Sequence, residues 1–219
     1  MSFSPLILAS GSPRRSQLLR EWGYEFQVFV PEVIEIDDPT LPIRELTACN
    51  ARLKADAVAA LSSQPHINGQ PRIKGQTFYE KNVLAPSDGV ILVAADTLVL
   101  LGDRVLTKPR DMTEAAEMLG ALVGRTHQVF TAVTVLGLGK VSEFTITTEV
   151  TFLPLRAEEQ KAYHLLIDPL DKAGAYAAQD HGEKIIAEMR GSFTNVMGLP
   201  MERLSEVLAE EFGIMANRA

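Results

Sequence analysis

An apolar run from Val90 to Leu101 contains a single charged residue, Asp96, near its middle. Its length and its β-branched residues predict a long strand, and a Gly102-Asp103 turn leads from it into a short strand at Val105-Leu106. An ionised carboxylate inside such a strand is costly to bury unless it is paired or binds a metal ion. Asp96 could therefore hold Mg²⁺ or accept a proton from attacking water. The alternative is an aspartate at a strand end that backbone N–H groups satisfy.

Strand-like and helix-like segments alternate along the rest of the chain. Further strands are predicted at residues 6–9, 26–30, 129–138, 144–152, 175–176 and 184–188, and helices at 13–22, 43–61, 113–122, 157–166 and 200–212. The alternation, with hairpin connections, predicts an α/β fold with a mixed β-sheet flanked by helices. Residues 62–89 are rich in proline, glycine, asparagine and glutamine and predict a surface insertion in one domain that spans residues 1–219.

Composition excludes several classes of partner. The net charge of −7 disfavours a nucleic acid polymer, because phosphate backbones select basic surfaces. A small anionic substrate stays possible if the positive charges gather in one pocket. Cys49 is the only cysteine, and the four histidines are scattered, so no zinc-ligand spacing occurs. The N-terminus has no signal-peptide pattern and no apolar run is long enough to span a membrane, so we expect a cytoplasmic protein.

The segment Ser10-Gly11-Ser12-Pro13-Arg14-Arg15 joins the first strand to the first helix. Backbone N–H groups and the positive end of the helix dipole meet at such a position and make it an anion site, which Ser10 and Ser12 could complete. Two arginines in a first helical turn are unfavourable by about 0.3–1 kcal/mol each unless an anion lies nearby. The alternative is an ordinary capped helix with solvated arginines. A Walker A pattern does not occur in the sequence.

Four further polar residues are candidates for a site. Lys54 lies on a predicted helix and Lys108 follows a short strand, and each lysine alone is typical of a solvated surface charge. Glu35 alternates with apolar residues and could be a second metal carboxylate or part of an exposed strand face. Gln179 follows a segment of small residues that permits close approach of a ligand, and its amide can read a base edge because it both donates and accepts.

Together these segments resemble the Maf family of nucleotide pyrophosphatases. The resemblance covers nearly the whole chain except residues 62–89. The matching motifs, in chain order, are Leu8 to Arg15, Ala95-Asp96-Thr97, Lys108-Pro109-Arg110, Asp171-Lys172-Ala173-Gly174-Ala175-Tyr176, and Gly191-Ser192 through Gly198-Leu199-Pro200.

The resemblance implies a fold related to the inosine triphosphate pyrophosphatases (Maf/Ham), with a cleft between two lobes. It implies hydrolysis of a nucleoside triphosphate between the α- and β-phosphates with a divalent cation, Mg²⁺ or Mn²⁺. Asp96 matches the proton acceptor, and Glu35, Lys54 and Lys108 match the other polar residues of the active site. We expect Asp96 and Glu35 to hold the metal, and Arg14, Arg15, Lys54 and Lys108 to screen the charges of the triphosphate. A homodimer is also expected from the family.

Within the family, Arg14, Thr97 and Gln179 match the branch that acts on dTTP and UTP. In the branch that favours 7-methyl-GTP, the aspartate stands in a Ser-Asp-Gln motif in place of Ala95-Asp96-Thr97, and a Glu takes the place of Gln179. The chain departs from the family at Asp180-His181, where glycine usually follows the glutamine, and at Leu153, where arginine is common. Two other functions stay open: a nucleotide-binding regulator of septum formation without turnover, and a phosphatase that releases orthophosphate. The carboxylate at position 96 favours an enzyme over a regulator.

Overall fold

The computed structural model describes residues 6–62 and 89–217. Its strands are β1 (Leu6–Leu8), β2 (Gln27–Val28), β3 (Ile91–Leu101), β4 (Arg104–Leu106), β5 (Thr126–Gly137), β6 (Lys140–Phe152) and β7 (Ile186–Arg190). Its helices are α1 (Pro13–Glu21), α2 (Ile43–Ser62), α3 (Met112–Leu122), α4 (Ala157–His164), α5 (Phe193–Val196) and α6 (Met201–Phe212). Single 3-10 turns lie at Pro169–Asp171, Ala173–Ala175 and Gly182–Lys184.

The strands form one seven-stranded sheet in the order β2-β1-β3-β5-β6-β7, with β4 paired to β3. Strand β1 runs parallel to β2 and β3, whereas the remaining pairs are antiparallel. The prediction of a mixed sheet flanked by helices is therefore confirmed. Most of the predicted insertion, residues 63–88, lies outside the described residues.

Strand β3 loses its neighbours on one side near its middle. Strand β1 pairs with it only as far as Val93, and β4 pairs with it only from Val99 onwards. Within the part of the chain that the structure describes, residues 94–98 of β3 thus have no strand on that side. The chain leaves the sheet at the carboxyl end of the parallel strand β1, which is where open α/β sheets bind ligands. We call this stretch the gap in β3.

The helices that pack on β3 differ on the two sides of this gap. Val93 and Ala95 pack with α1 and α6, and Leu92 and Ala94 pack with α2 on the opposite face. Beyond the gap, Val99 joins a separate cluster formed by α3, α4 and the 3-10 turns. The helices α1, α2 and α6 thus belong to a first lobe, α3 and α4 belong to a second, and the expected cleft lies between them.

Helix α1 begins as the sequence predicts. Pro13 occupies its first turn and Ser12 is the N-cap residue, although the Ser12 side chain makes no capping hydrogen bond. Its other end closes at Gly23, which has a φ of +81°. In α3, the N-cap is Asp111, whose carboxylate accepts from the backbone N–H of Glu114.

Two strand predictions need correction. The strand expected at 26–30 is paired only over Gln27–Val28. The strand expected at 175–176 is wrong, since Gly174 and Ala175 take φ values of +73° and +59° within a 3-10 turn. Contacts with other segments stabilise this turn, because the Gly174 N–H donates to the Thr107 carbonyl and Tyr176 is buried in the second lobe.

Candidate active site

A cavity of about 520 Å³ opens at the gap in β3, between the two lobes. It is lined by the loop after β1, the start of α1, the segment 30–35, Lys54 of α2, and the segments 171–179 and 196–198. All ten predicted site residues line it: Ser10, Ser12, Arg14, Arg15, Glu35, Lys54, Asp96, Thr97, Lys108 and Gln179. Residues that lie far apart in the sequence therefore meet in one cleft.

The acidic centre of the cleft consists of Asp96 and Glu35, which share the Lys54 ammonium. Lys54 Nζ lies 2.6 Å from Asp96 Oδ1 and 2.8 Å from Glu35 Oε1. Asp96 is buried, and its second oxygen, Oδ2, has no hydrogen-bond partner. Burial by itself raises the pKa of the Glu35 carboxyl, but the nearby cations, Lys54 foremost, together outweigh it and hold that pKa below its ordinary value. The centre therefore presents one unpaired, buried carboxylate oxygen.

Arg15 is buried and binds the protein itself. Its Nε donates to the Gly198 carbonyl at 2.7 Å, and one terminal nitrogen donates to Ser10 Oγ at 3.0 Å and to the Ala95 carbonyl at 2.9 Å. The other terminal nitrogen donates to Thr97 Oγ1 at 3.1 Å. Four of the five N–H groups of the guanidinium are thus committed. Because Ala95 lies in the gap of β3, Arg15 supplies a hydrogen bond that a neighbouring strand would otherwise make.

Thr97 continues this network on the opposite face of β3 from Asp96. Its hydroxyl accepts from Arg15 and lies 3.0 Å from Thr131 Oγ1, which in turn donates to the Asn195 carbonyl at 2.9 Å. Since the Thr131 hydrogen is already used, Thr97 is the donor of the pair. Gly198 closes the network, and a Cβ at this position would lie 3.3 Å from Thr97 Oγ1. The Thr97 hydroxyl is therefore engaged inside the protein and positions Arg15.

Three charged side chains meet where the cleft opens, and we call them the rim triad: Arg14, Lys108 and Asp171. Arg14 lies 3.1 Å from Asp171 Oδ2, and Lys108 Nζ lies 3.3 Å from Asp171 Oδ1. Arg14 also donates to the Asp171 backbone carbonyl at 3.3 Å. The rim triad thus joins the start of α1 in the first lobe to two segments of the second.

The segment 173–179 lines the cleft with small residues and with an amide whose oxygen is buried. The Gln179 side-chain oxygen is buried and has no hydrogen-bond partner. Three residues before it, the Tyr176 hydroxyl lies 2.9 Å from His127 Nε2 in a buried aromatic cluster with Phe152. The unpaired oxygen of Gln179 is suited to a ligand that donates a hydrogen bond.

Sequence reasoning missed two residues of the cleft. Asp171 belongs to the rim triad, and Lys172, only 8% exposed, lines the cavity and donates to the Asp168 carbonyl at 2.8 Å. Burial, and then the nearby Arg14, lower the pKa of the Lys172 ammonium. Both residues open the segment 171–176, which the sequence analysis identified by its small residues and as a family motif, but neither residue was predicted to belong to the site. Adjacent opposite charges before such a segment were the available signal.

These features define an α/β protein whose cleft suits a small polyanion: cations surround a carboxylate centre at the gap in β3. The chain belongs to the Maf family, because the family model described as Maf-like protein matches residues 5–211. No helix of the described residues is long and apolar enough to cross a membrane.

Individual relatives extend over nearly the whole chain. The dTTP/UTP pyrophosphatase of Akkermansia muciniphila is 40% identical, with 93% of this chain and 95% of the relative covered. The proteins of the same name from Bacillus anthracis and Vibrio cholerae are 37% and 35% identical, with 98% and 95% of this chain and 98% of each relative covered. Among solved structures, the Ham1 protein of Staphylococcus aureus is 14% identical with a TM-score of 0.47, over 94% of this chain and 98% of that one.

Proposed function

We propose that this protein hydrolyses dTTP and UTP to the nucleoside monophosphate and pyrophosphate. The observation that carries the proposal is the buried, unpaired Oδ2 of Asp96 inside a cleft lined by Lys54, Lys108 and Arg14. A site that only binds anions needs the cations but has no use for such a carboxylate oxygen. The names of the relatives, at 35–40% identity over nearly their full length, support the same reaction.

Asp96 is assigned the role of proton acceptor. Lys54 holds Oδ1 at 2.6 Å and so fixes the orientation of the carboxylate, which leaves Oδ2 to accept a hydrogen bond from a water molecule. That water attacks the α-phosphorus, the α–β bridging bond breaks, and the bond electrons leave with pyrophosphate. Arg14 and Lys108 bind the negative oxygens of the phosphate chain. Most of the rate enhancement then comes from positioning and charge stabilisation.

A divalent cation fits this centre on the chemistry of its donors. Residues 6–62 and 89–217 contain no group of three or more acidic, histidine or cysteine side chains able to hold a metal alone. Asp96 and Glu35 are two carboxylates, however, and Mg²⁺ is commonly bound by one or two carboxylates together with substrate phosphates. When bound, Mg²⁺ or Mn²⁺ would neutralise charge that develops on the phosphate oxygens. Lys54 contacts both carboxylates in the structure, so the cation would share them with this ammonium.

Gln179 is assigned to the base. Uracil and thymine present one donor, N3–H, between two carbonyl acceptors. The oxygen of a glutamine amide can accept from N3–H while its nitrogen donates to a neighbouring carbonyl. The Gln179 oxygen is unpaired, as this pairing requires. Guanine instead presents two adjacent donors, which a carboxylate would match better. The amide therefore favours pyrimidines over guanine nucleotides.

The test is a panel of canonical and methylated nucleoside triphosphates incubated with the protein and Mg²⁺ or Mn²⁺, with pyrophosphate and orthophosphate measured separately. We expect pyrophosphate from dTTP and UTP, and Asp96→Asn should abolish its release while the variant still folds and binds nucleotide. The matched control is Asp103→Asn, an exposed aspartate in the turn after the same strand. Tightly bound but intact nucleotide would support a regulator instead, and release of orthophosphate alone would indicate a phosphatase. The cytoplasmic location and the homodimer stay predictions.

A further inference from the structure

Asp171 binds the two cations that the proposed reaction assigns to the phosphate chain. Its two carboxylate oxygens divide between two cations, with Oδ2 3.1 Å from Arg14 and Oδ1 3.3 Å from Lys108. Both cations line the cavity and have been assigned to the phosphate chain. An anion that binds them has to share them with Asp171 or displace it.

The charges around Asp171 explain why a carboxylate stands there. Arg14, Lys108 and the buried Lys172 are three like charges near one another, and Arg14 is among the causes that lower the pKa of Lys172. Burial alone raises the pKa of the Asp171 carboxyl, but Arg14 and Lys108 outweigh it and hold the pKa below its ordinary value. Asp171 is therefore the negative charge that balances this cationic rim in the absence of a ligand.

The pairs that Asp171 makes can be exchanged. Its side chain is 42% exposed, those of Lys108 and Arg14 are 65% and 21% exposed, and ion pairs that solvent reaches are weak. The pair of Lys54 with Asp96 at the acidic centre differs, since these two side chains are 12% and 6% exposed. A multiply charged phosphate chain can thus compete for Arg14 and Lys108 without unfolding a buried cluster.

We propose that Asp171 is an internal competitor of pyrophosphate, which weakens binding of this product to Arg14 and Lys108. The inference rests on the proposed function, because it assumes that pyrophosphate is the leaving product. A nucleoside triphosphate has a base and a sugar that make contacts of their own, whereas pyrophosphate is held by its charges alone. Competition at the rim therefore leaves the substrate with other contacts and the product with few.

The test compares Asp171→Asn with the wild type for binding of pyrophosphate. The substitution keeps the shape and the backbone carbonyl that Arg14 also contacts, but removes the negative charge. We expect the inhibition constant of pyrophosphate, measured by formation of dTMP from dTTP, to fall about five- to tenfold. Titration calorimetry with pyrophosphate in the absence of substrate should show the same shift. Asp171→Glu retains the charge and should change the constant by less than about twofold.

Glu114→Gln is the matched control, because Glu114 of α3 pairs with Arg110 at 2.9 Å and neither residue lines the cavity. It should leave pyrophosphate binding unchanged. Asp171→Ser is a second variant in case the asparagine is poorly folded, and it should shift the constant in the same direction. Pyrophosphate binding that is unchanged or weaker in both folded Asp171 variants would overturn the inference and show that the carboxylate positions the two cations. A wild-type protein that releases no pyrophosphate from dTTP or UTP would instead refute the proposed function, and calorimetry would still decide whether Asp171 competes with the anion.

Discussion

The Arg15 guanidinium and the Gly198 carbonyl meet at 2.7 Å although 183 positions of the chain separate them. This contact ties the first helix to the loop that precedes the last helix. The same guanidinium also donates to Ser10, Ala95 and Thr97, so three segments of the cleft, the loop after β1, strand β3 and the loop before α6, depend on one side chain.

Arg15→Lys should therefore destabilise the protein even though it retains the positive charge. A lysine ammonium cannot reproduce the planar arrangement of four donated hydrogen bonds, and buried acceptors would be left unpaired. We expect the free energy of unfolding to fall by about 3 kcal/mol, measured by urea denaturation. Arg20→Lys, at an exposed position of the same helix, should change it by less than about 0.5 kcal/mol. Equal effects of the two substitutions would show that the Arg15 network contributes little.

Gly198→Ala tests the closure of the same network. Gly198 has a φ of +102°, which disfavours any residue with a Cβ, and the added atom would lie 3.3 Å from Thr97 Oγ1. We expect a loss of about 2–3 kcal/mol in unfolding free energy and a lower turnover of dTTP. In Gly102→Ala, where φ is +61° and no atom lies within 4 Å of the new Cβ, the loss should be about 1 kcal/mol with turnover unaffected. A smaller loss at position 198 than at position 102 would contradict the steric interpretation.

His127 should make stability depend on pH. Burial lowers the pKa of His127 to about 4, whereas the unfolded chain protonates this residue near its ordinary value of 6.5. As the pH falls from 6.5 towards 4, the unfolded state binds a proton that the folded state does not. We expect this residue alone to remove about 3 kcal/mol of stability over that interval.

Urea denaturation at several pH values, compared between the wild type and His127→Gln, measures this contribution. The variant should lose less stability than the wild type between pH 6.5 and pH 4. His181→Gln, at an exposed histidine, should behave as the wild type does. Parallel pH profiles for the wild type and His127→Gln would show that the buried imidazole is not the source.

Gln179→Glu should change which base is accepted. The carboxylate cannot donate to a pyrimidine carbonyl, and an unpaired polar group in a buried site is strongly penalised. We expect kcat/KM for UTP to fall roughly 10²-fold, while that for 7-methyl-GTP rises relative to it. Gln17→Glu, on the exposed side of α1, is the control and should leave both values unchanged. A variant that retains its UTP preference would remove Gln179 from base recognition.

The sequence could predict the cleft because its motifs sit at strand ends and helix starts. The strand, loop and capped helix from Leu6 to Gly23 follow local rules, and Asp96 was conspicuous as a charge inside an apolar strand. Such features are local, so they can be recognised without knowledge of the tertiary structure.

Arg15 is buried whereas Arg14 lies at the rim of the cleft. The helical period of α1 predicts this difference, although their equal charges do not. Arg15 lies three and four positions before Leu18 and Leu19, and all three are buried on one face of α1. The helical period thus turns Arg15 inwards and leaves Arg14 at the rim. By contrast, no local signal links Asp171 to Arg14, because that contact depends on how the two lobes meet. The turn at Gly174 was missed for the same reason, since a hydrogen bond from another segment fixes it.

The gap in β3 also restricts how the gene can change. Successive residues of a strand face opposite ways, so Asp96 points towards Lys54 while Thr97 points towards Arg15. Deletion or insertion of one codon within this strand would exchange the two faces and present a hydroxyl to Lys54 and a carboxylate to the arginine network. Length variation in this protein should therefore accumulate in its connecting segments, while the number of residues between Val93 and Val99 stays constant.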